Sequence, residues 1–154
     1  MLVPYSNLSP KSRVWIYQSE RLIKSQEKKD IYKNLIDFCN NWTSHGNSLQ
    51  CSFKIYDWFI CIFVDIQSNP SGCSIDKSVA FMKQISHRFK INFFNRQNII
   101  FKKEEDVKIL SLEEFKLIID PDLIIYNNMV TTKEDFELKW QLPVKDTWLN
   151  IFLK

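Results

Sequence analysis

The run of apolar residues from Trp58 to Val64 (Trp-Phe-Ile-Cys-Ile-Phe-Val) is the feature that most constrains how this chain can fold. A strand that is apolar on both faces has to be covered on both sides or lie in the middle of a sheet. Beyond it, apolar residues recur at intervals of three and four, which predicts an amphipathic helix: Ile75, Val79, Met82, Ile85 and Phe89. Pro70 and Gly72 mark a turn between the two elements. The junction at 65–78 therefore links a buried strand to a helix.

The elements around this junction follow the order of a split β-α-β fold. Alternating apolar residues predict strands at 12–19, 49–56 and 97–103, and helical spacing predicts a helix at 26–42. Strand, helix, strand, strand, helix, strand is the order of a ferredoxin-like core, so we predict an α+β fold with that core at about 12–103.

The rest of the chain predicts a C-terminal strand and helix extension at about 104–154. Asp120-Pro121 breaks the chain there, and a helix is expected to start after Thr131. Trp148 and Phe152 near the end are too apolar to be left in water, so the tail should pack on the core. A length of 154 residues fits a single domain over 1–154.

Composition excludes several classes of protein. The chain has 21 basic and 18 acidic residues, interspersed, and a net charge of +3, which gives little support to a nucleic-acid partner. No apolar run is long enough to cross a membrane, so no membrane partner is expected. Four scattered cysteines without a Cys-x-x-Cys pair indicate reduced thiols and a cytoplasmic protein. Two histidines with those cysteines give no zinc spacing, and neither a metal nor a cofactor is predicted.

Right-handed crossover connections would bring two unusual loops to one edge of the predicted sheet. One loop, at 43–48, follows the first helix, and the other, at 65–73, precedes the second helix. Free amides and the dipole at the start of a helix favour anions. We therefore predict a ligand-binding edge for a small anionic or polar group, with six residues: Arg13, Ser44, Gly46, Ser71, Gly72 and Ser74.

Two other interpretations of this edge are open. An enzyme would use Cys73 as nucleophile, His45 as its base and Asp65 to orient the base. Alternatively, capping of the second helix alone explains Gly72 and Ser74, with Ser74 as the N-cap. Gly46 is separately predicted to cap the C-terminus of the first helix.

Three stretches, in this order and spacing, resemble a family of Bacteroidetes proteins of similar length that are often labelled "ABC transporter ATPase". They are Ser12-Arg-Val-Trp-Ile-Tyr-Gln-Ser19, Trp42-Thr-Ser-His-Gly46 and Ser71-Gly-Cys-Ser-Ile-Asp76. The resemblance implies a cytoplasmic location and a shared single-domain fold, and it transfers no catalytic residues. Its motifs fall on the edge that the topology indicates.

The label itself does not fit this sequence. A P-loop ATPase needs a Gly-x-x-x-x-Gly-Lys-Ser/Thr loop, and neither of the two glycines, Gly46 and Gly72, is followed by lysine. A glycine-rich dinucleotide fingerprint is excluded for the same reason.

Three functional classes remain. The preferred one is a module without chemistry that binds a small ligand or a protein partner, because no catalytic set is compelling. The second is the thiol-dependent enzyme that uses Cys73 with His45. The third is an RNA-binding domain, for which aromatic and basic residues interleave at 90–96 and 101–103. Buried aromatic residues beside ordinary surface lysines explain those two stretches better.

Overall fold

The computed structural model describes residues 1–154 and shows a mixed α/β chain with four helices and several small sheets. The strands are β1 (Arg13–Gln18), β2 (Thr43–Ser44), β3 (Asn47–Ser48), β4 (Cys51–Ile55), β5 (Phe59–Val64), β6 (Asn98–Lys103), β7 (Asp106–Ser111), β8 (Ile124–Tyr126) and β9 (Gln141–Pro143). The helices are α1 (Ser25–Asn41), α2 (Gly72–Phe89), α3 (Leu112–Ile118) and α4 (Lys133–Lys139). Short 3-10 turns occupy Tyr5–Asn7, Ile66–Ser68, Val144–Asp146 and Trp148–Phe152.

The chain forms two compact units. Unit 1 comprises Met1–Phe94 with Thr131–Glu134, and unit 2 comprises Asn95–Val130 with Asp135–Lys154. The single-domain organisation expected from the length stays a prediction.

Unit 1 is built around β5, all six residues of which are buried. This strand lies between β1 and β4 in an antiparallel sheet, as a split β-α-β unit requires. Residues of α1 and α2 pack with one face of the sheet in a single core, which contains among others Ile31, Leu35, Ile60, Ile62, Met82 and Ile85. Both faces of β5 are covered, since Ile60, Ile62 and Val64 lie in this core and the residues of the opposite face, Phe59, Cys61 and Phe63, are buried as well. Burial of both faces explains why the sequence of β5 shows no polar alternation.

The four-stranded ferredoxin-like sheet is not confirmed, because its expected fourth strand pairs elsewhere. That strand, β6, belongs to a second sheet with the order β7-β6-β8-β9. The outer edge of β1 is instead met by residues of unit 1 that come late in the chain: Val14 N donates to Thr131 O (3.0 Å), and Arg13 bridges to Thr132. Element order alone does not reveal this replacement, since a short segment from a distant part of the chain fills the edge.

The hairpin of β4 and β5 has a different register from the one its apparent turn suggests. A turn at Tyr56-Asp57 would pair Cys51 with Ile62, whereas Cys51 is opposite Val64. The shift is two residues, so every side chain keeps its face of the sheet. The shift arises because the turn lies one residue later than expected, at Asp57-Trp58, where Tyr56 N donates to Phe59 O (2.8 Å) across it.

Unit 2 contains the second sheet, with α3 packed on it. Phe101 of β6 contacts Phe115 of α3 with ring centroids 5.2 Å apart, and both side chains are buried. In the tail, Leu149 is buried in this core, and Phe152, which was expected to be mostly buried, is partly buried and packs against it. The expected burial of Trp148 is wrong, since its side chain is 45% exposed. It packs on the neighbouring Phe152 ring, with centroids 6.3 Å apart, rather than in the core.

The start of α1 gives a pH-dependent contribution to stability. Arg21 makes two hydrogen bonds to the Glu27 carboxylate (2.9 and 2.8 Å), and Lys24 N donates to the same group (2.9 Å). The Arg21 guanidinium holds the pKa of Glu27 down at about 2, below the usual 4.5. Because the folded-state pKa is lowered, the contribution is complete above about pH 4.5 and is lost as the pH falls towards 2.

Glu27→Gln should therefore destabilise the chain at neutral pH by about 1 kcal/mol or less, since the pair is partly exposed and glutamine can still accept from Lys24 N. Urea unfolding of the two proteins at several pH values measures this difference. It should shrink as the pH is lowered towards 2. A difference that is constant with pH would show that the ion pair contributes nothing.

Candidate functional site

The loop at 43–48 forms a small hairpin, β2 and β3, that the sequence did not reveal. Its two central residues, His45 and Gly46, have φ angles of 51° and 81°, the left-handed pair that a two-residue hairpin turn favours. The predicted role of Gly46 as the cap of α1 is therefore wrong. Helix α1 ends at Asn41, and Trp42 after it is already extended (φ −78°, ψ 122°).

The start of α2 also differs in detail from its prediction. Ser71, not Ser74, is the N-cap: Ser71 Oγ accepts from Ser74 N (3.1 Å), and Ser74 Oγ accepts from Ser71 N (2.7 Å). Serine at both positions makes a reciprocal capping box, so sequence spacing alone does not distinguish them. The amides of Gly72 and Cys73 in the first turn have no hydrogen-bond partner, and the space beside Gly72 is open.

Two hydrogen bonds hold the β2–β3 hairpin against the start of α2. Ser44 Oγ donates to Asn69 O (2.7 Å), and the buried indole Nε1 of Trp42 donates to Ser74 O (2.8 Å). Asn69 has a φ of 54°, so the loop before α2 turns sharply at this contact. The two loops that topology placed at one edge thus touch. We call this region the polar edge, defined by Ser44, His45, Gly46, Asn69 and Ser71–Ser74.

Arg13 is linked to Trp42, which adjoins the polar edge, through two aromatic contacts. Its guanidinium lies over the Trp15 ring (4.9 Å to the centroid), and the Trp15 ring meets that of Trp42 edge-on (6.5 Å). The Arg13 side chain is exposed and makes no ion pair. It therefore supplies a positive charge whose position is fixed by stacking.

The three residues of the catalytic hypothesis are not joined to one another. Cys73 and His45 are both exposed, and no hydrogen bond links them. The Asp65 carboxylate accepts from Gln67 N (3.0 Å) and so caps the 3-10 turn at Ile66–Ser68 instead of orienting a histidine. Nowhere in the chain are three or more His, Cys, Asp or Glu side chains placed to hold a metal ion.

The other three cysteines lie in the core of unit 1. A hydrogen bond shared with Cys51, together with burial, raises the pKa of the Cys39 thiol, and burial raises that of Cys61. All three are fully buried and free. The approach of Cys39 to Cys51 was missed from the sequence, although both residues fall on apolar faces of adjacent elements, which was the available signal.

An open groove of about 350 Å³ lies away from the polar edge, beside β4 in unit 1. Its lining is mostly apolar and was not singled out from the sequence: Leu2, Val3, Pro4, Tyr32, Ser52 and Phe53. The one sign of this groove in the sequence was Tyr32, an aromatic residue that flanks the apolar positions of α1. In the structure this residue is 52% exposed.

The aromatic residues considered for RNA binding are mostly internal. Phe93 is 3% exposed and Phe101 1% exposed, so neither presents a ring face on which a base could stack. Phe94 is partly exposed, and its ring packs edge-on against Tyr17 (5.7 Å). In unit 2, Lys102 and Lys103 stand in β6 opposite Val107 and Asp106.

Comparison with protein-family models, with curated proteins and with solved structures finds no match to this chain. None of its helices has the length and apolar character needed to cross a membrane.

Proposed function

We propose that this chain is a binding module without chemistry of its own, and that its polar edge takes an anionic or polar group of a small ligand or partner. The observation that carries the proposal is the pair of hydrogen bonds from Ser44 and Trp42, which fix a hairpin beside the open first turn of α2. Capping of α2 needs only Ser71 and Ser74, so it does not account for a buried tryptophan donor and a buried serine donor held there.

The chemistry of the proposed site follows from its donors. The amides of Gly72 and Cys73 point out of the first turn with the positive end of the helix dipole behind them. Arg13 adds a charge that aromatic stacking keeps in place. The side chains of His45 and Cys73 are exposed and offer further polar contacts.

Gly72→Pro against Gly72→Ala tests the binding role of the backbone. Proline is tolerated at the first position of a helix but removes the amide, whereas alanine keeps it, and the space beside Gly72 accepts a side chain. Calorimetric titration with inorganic phosphate should show binding by wild type and Gly72→Ala, and binding about tenfold weaker by Gly72→Pro, because a hydrogen bond to an anion is lost. Equal affinities of the two variants would refute the site.

Cys73→Ser separates the module from the thiol-dependent enzyme. The side chain is exposed and makes no hydrogen bond that holds the fold, so we expect unchanged melting temperature and phosphate affinity. A thiol enzyme that uses Cys73 with His45 would also keep its ligand but would lose turnover, so its serine variant would fail to replace the wild-type chain in a deletion strain. A module without chemistry would replace it. Loss of phosphate binding in the serine variant, with the fold intact, would contradict the backbone-based site.

Further expectations stay proposals. A cytoplasmic location is supported by four free cysteines, three of them buried thiols. A distant relation to ferredoxin-like folds is supported by the strand order β1-β5-β4 with α1 and α2 as crossovers. Membership of the family that the three motifs resemble would make the polar edge its common feature. The RNA-binding alternative has little support, because Phe93 and Phe101 are internal.

A further inference from the structure

One edge of the sheet in unit 1 is only partly paired. The backbone groups of Cys51 point away from β5: Cys51 N donates to Met1 O (3.1 Å), and Cys51 O accepts from Val3 N (2.9 Å). The segment around Leu2 therefore runs parallel to β4 at this point. Backbone groups alternate in direction along a strand. Phe53 and Ile55 therefore point their amides and carbonyls the same way as Cys51, away from β5.

The paired segment stops before it reaches these groups. Pro4 has no amide to donate, and the chain then enters the 3-10 turn Tyr5–Asn7. No backbone hydrogen bond outside the β4–β5 ladder involves Phe53 or Ile55. About half of β4 is thus an open edge in the direction in which the Leu2 segment would have continued, a template for another strand.

The groove described above lies beside this open edge. The groove is lined by Phe53 and Ser52 of β4, by Leu2–Pro4, and by Tyr32 of α1. The Tyr32 ring meets the Phe53 ring at 5.3 Å and 70°, which holds it upright although half of the side chain is exposed. A strand added here would direct alternate side chains towards this groove, whose lining suits a large apolar residue.

Helix α1 also carries positive charge beside Tyr32. Lys28 and Lys29 precede Tyr32 by four and three residues, so both flank it on the surface of α1. Lys28 is ion paired with Asp57, whereas Lys29 is exposed and forms no ion pair. The uncompensated charge favours acidic residues beside the apolar anchor of whatever binds.

We propose that this edge docks an extended segment of a partner protein, which pairs with Phe53 and Ile55 and places one large apolar side chain, flanked by acidic residues, against Tyr32. The unpaired amides and carbonyls specify a peptide backbone, which a small apolar molecule does not provide. The surface is separate from the polar edge, so either proposal can fail without the other.

Selection from a displayed library of random linear heptapeptides, with counter-selection on Ile55→Pro, tests the proposal. Proline at 55 removes an outward amide, at a position where an edge strand tolerates it, and it shortens a side chain that packs against the core. The variant therefore serves for counter-selection once its circular dichroism spectrum and cooperative urea unfolding show that it is folded. We expect enrichment of sequences with alternating apolar and acidic residues, and amide-exchange protection of Phe53 and Ile55 when a selected peptide binds. Tyr32→Ser, on the exposed face of α1, is a second variant that should weaken binding while leaving the melting temperature unchanged.

The selected peptide with N-methyl groups on alternate amides is the matched control. It keeps every side chain, so affinity about tenfold lower in one of the two methylation registers, and unchanged in the other, is the expected mark of strand pairing. Equal affinity in both registers would overturn the proposal in favour of simple apolar contact. The proposal would also be overturned if no selected peptide depended on Ile55 and Tyr32 for binding. A concentration-dependent dimer that Ile55→Pro abolishes would overturn it too, and would assign the edge to a second copy of this chain.

Discussion

Replacing Trp42 by alanine should lower the free energy of unfolding by about 3 to 5 kcal/mol. The indole is 2% exposed, its ring contacts those of Trp15 and Phe38, and its Nε1 donates to Ser74 O. Alanine would leave a cavity where unit 1 has its largest buried side chain and would release the hairpin from α2. Urea unfolding measures the loss, and phosphate binding should weaken in the same variant.

Trp42→Phe is the control for the cavity. Phenylalanine keeps most of the ring volume but loses the donor, so we expect a loss of about 1 kcal/mol. If Trp42→Ala lowered the free energy of unfolding by less than about 1 kcal/mol, Trp42 would not be the residue that fixes the hairpin.

Lys133→Met should destabilise the chain by about 2 to 4 kcal/mol, because its ammonium group is a buried donor to two carbonyls. Nζ donates to Leu8 O (2.7 Å) and Tyr5 O (3.0 Å) and lies over the Tyr5 ring (4.3 Å). The residue is 7% exposed. Methionine preserves the apolar stem but leaves both carbonyls without this donor. Thermal and urea unfolding give the change.

Lys54→Met is the matched comparison for Lys133. Its ammonium also lies over the Tyr5 ring (4.1 Å) but makes no hydrogen bond to a carbonyl, so we expect a loss of about 1 kcal/mol or less. Similar losses in the two variants would show that the ring contact, and not the carbonyl pairing, is what Lys133 contributes.

Local patterns in the sequence predicted most elements well. The apolar run before Asp65 indicated β5, and the spacing from Ile75 to Phe89 indicated α2, because burial dictates both periods. The meeting of the 43–48 and 65–73 loops followed from chain topology, and the contact of Ser44 with Asn69 confirms it. Such patterns predict which face of a strand or helix is apolar.

Partners that are distant in the chain could not be predicted in the same way. The segment at Thr131–Thr132 meets β1, and the Leu2 segment meets β4, through backbone hydrogen bonds that leave no mark on side-chain composition. The choice of Ser71 over Ser74 as the N-cap could not be predicted for a different reason: either hydroxyl can accept a hydrogen bond from the first turn of the helix. The exposure of Trp148 was missed because apolar character predicts burial only on average.

Amide chemical shifts of the wild-type chain, recorded during titration with inorganic phosphate at constant ionic strength, test the polar edge most directly. The largest saturable shifts should occur at Gly72 and Cys73. Smaller shifts are expected at the start of α1, where the Glu27 carboxylate already occupies the first turn. Equal shifts at the two helix starts, or none at Gly72 and Cys73, would contradict a binding site at this edge.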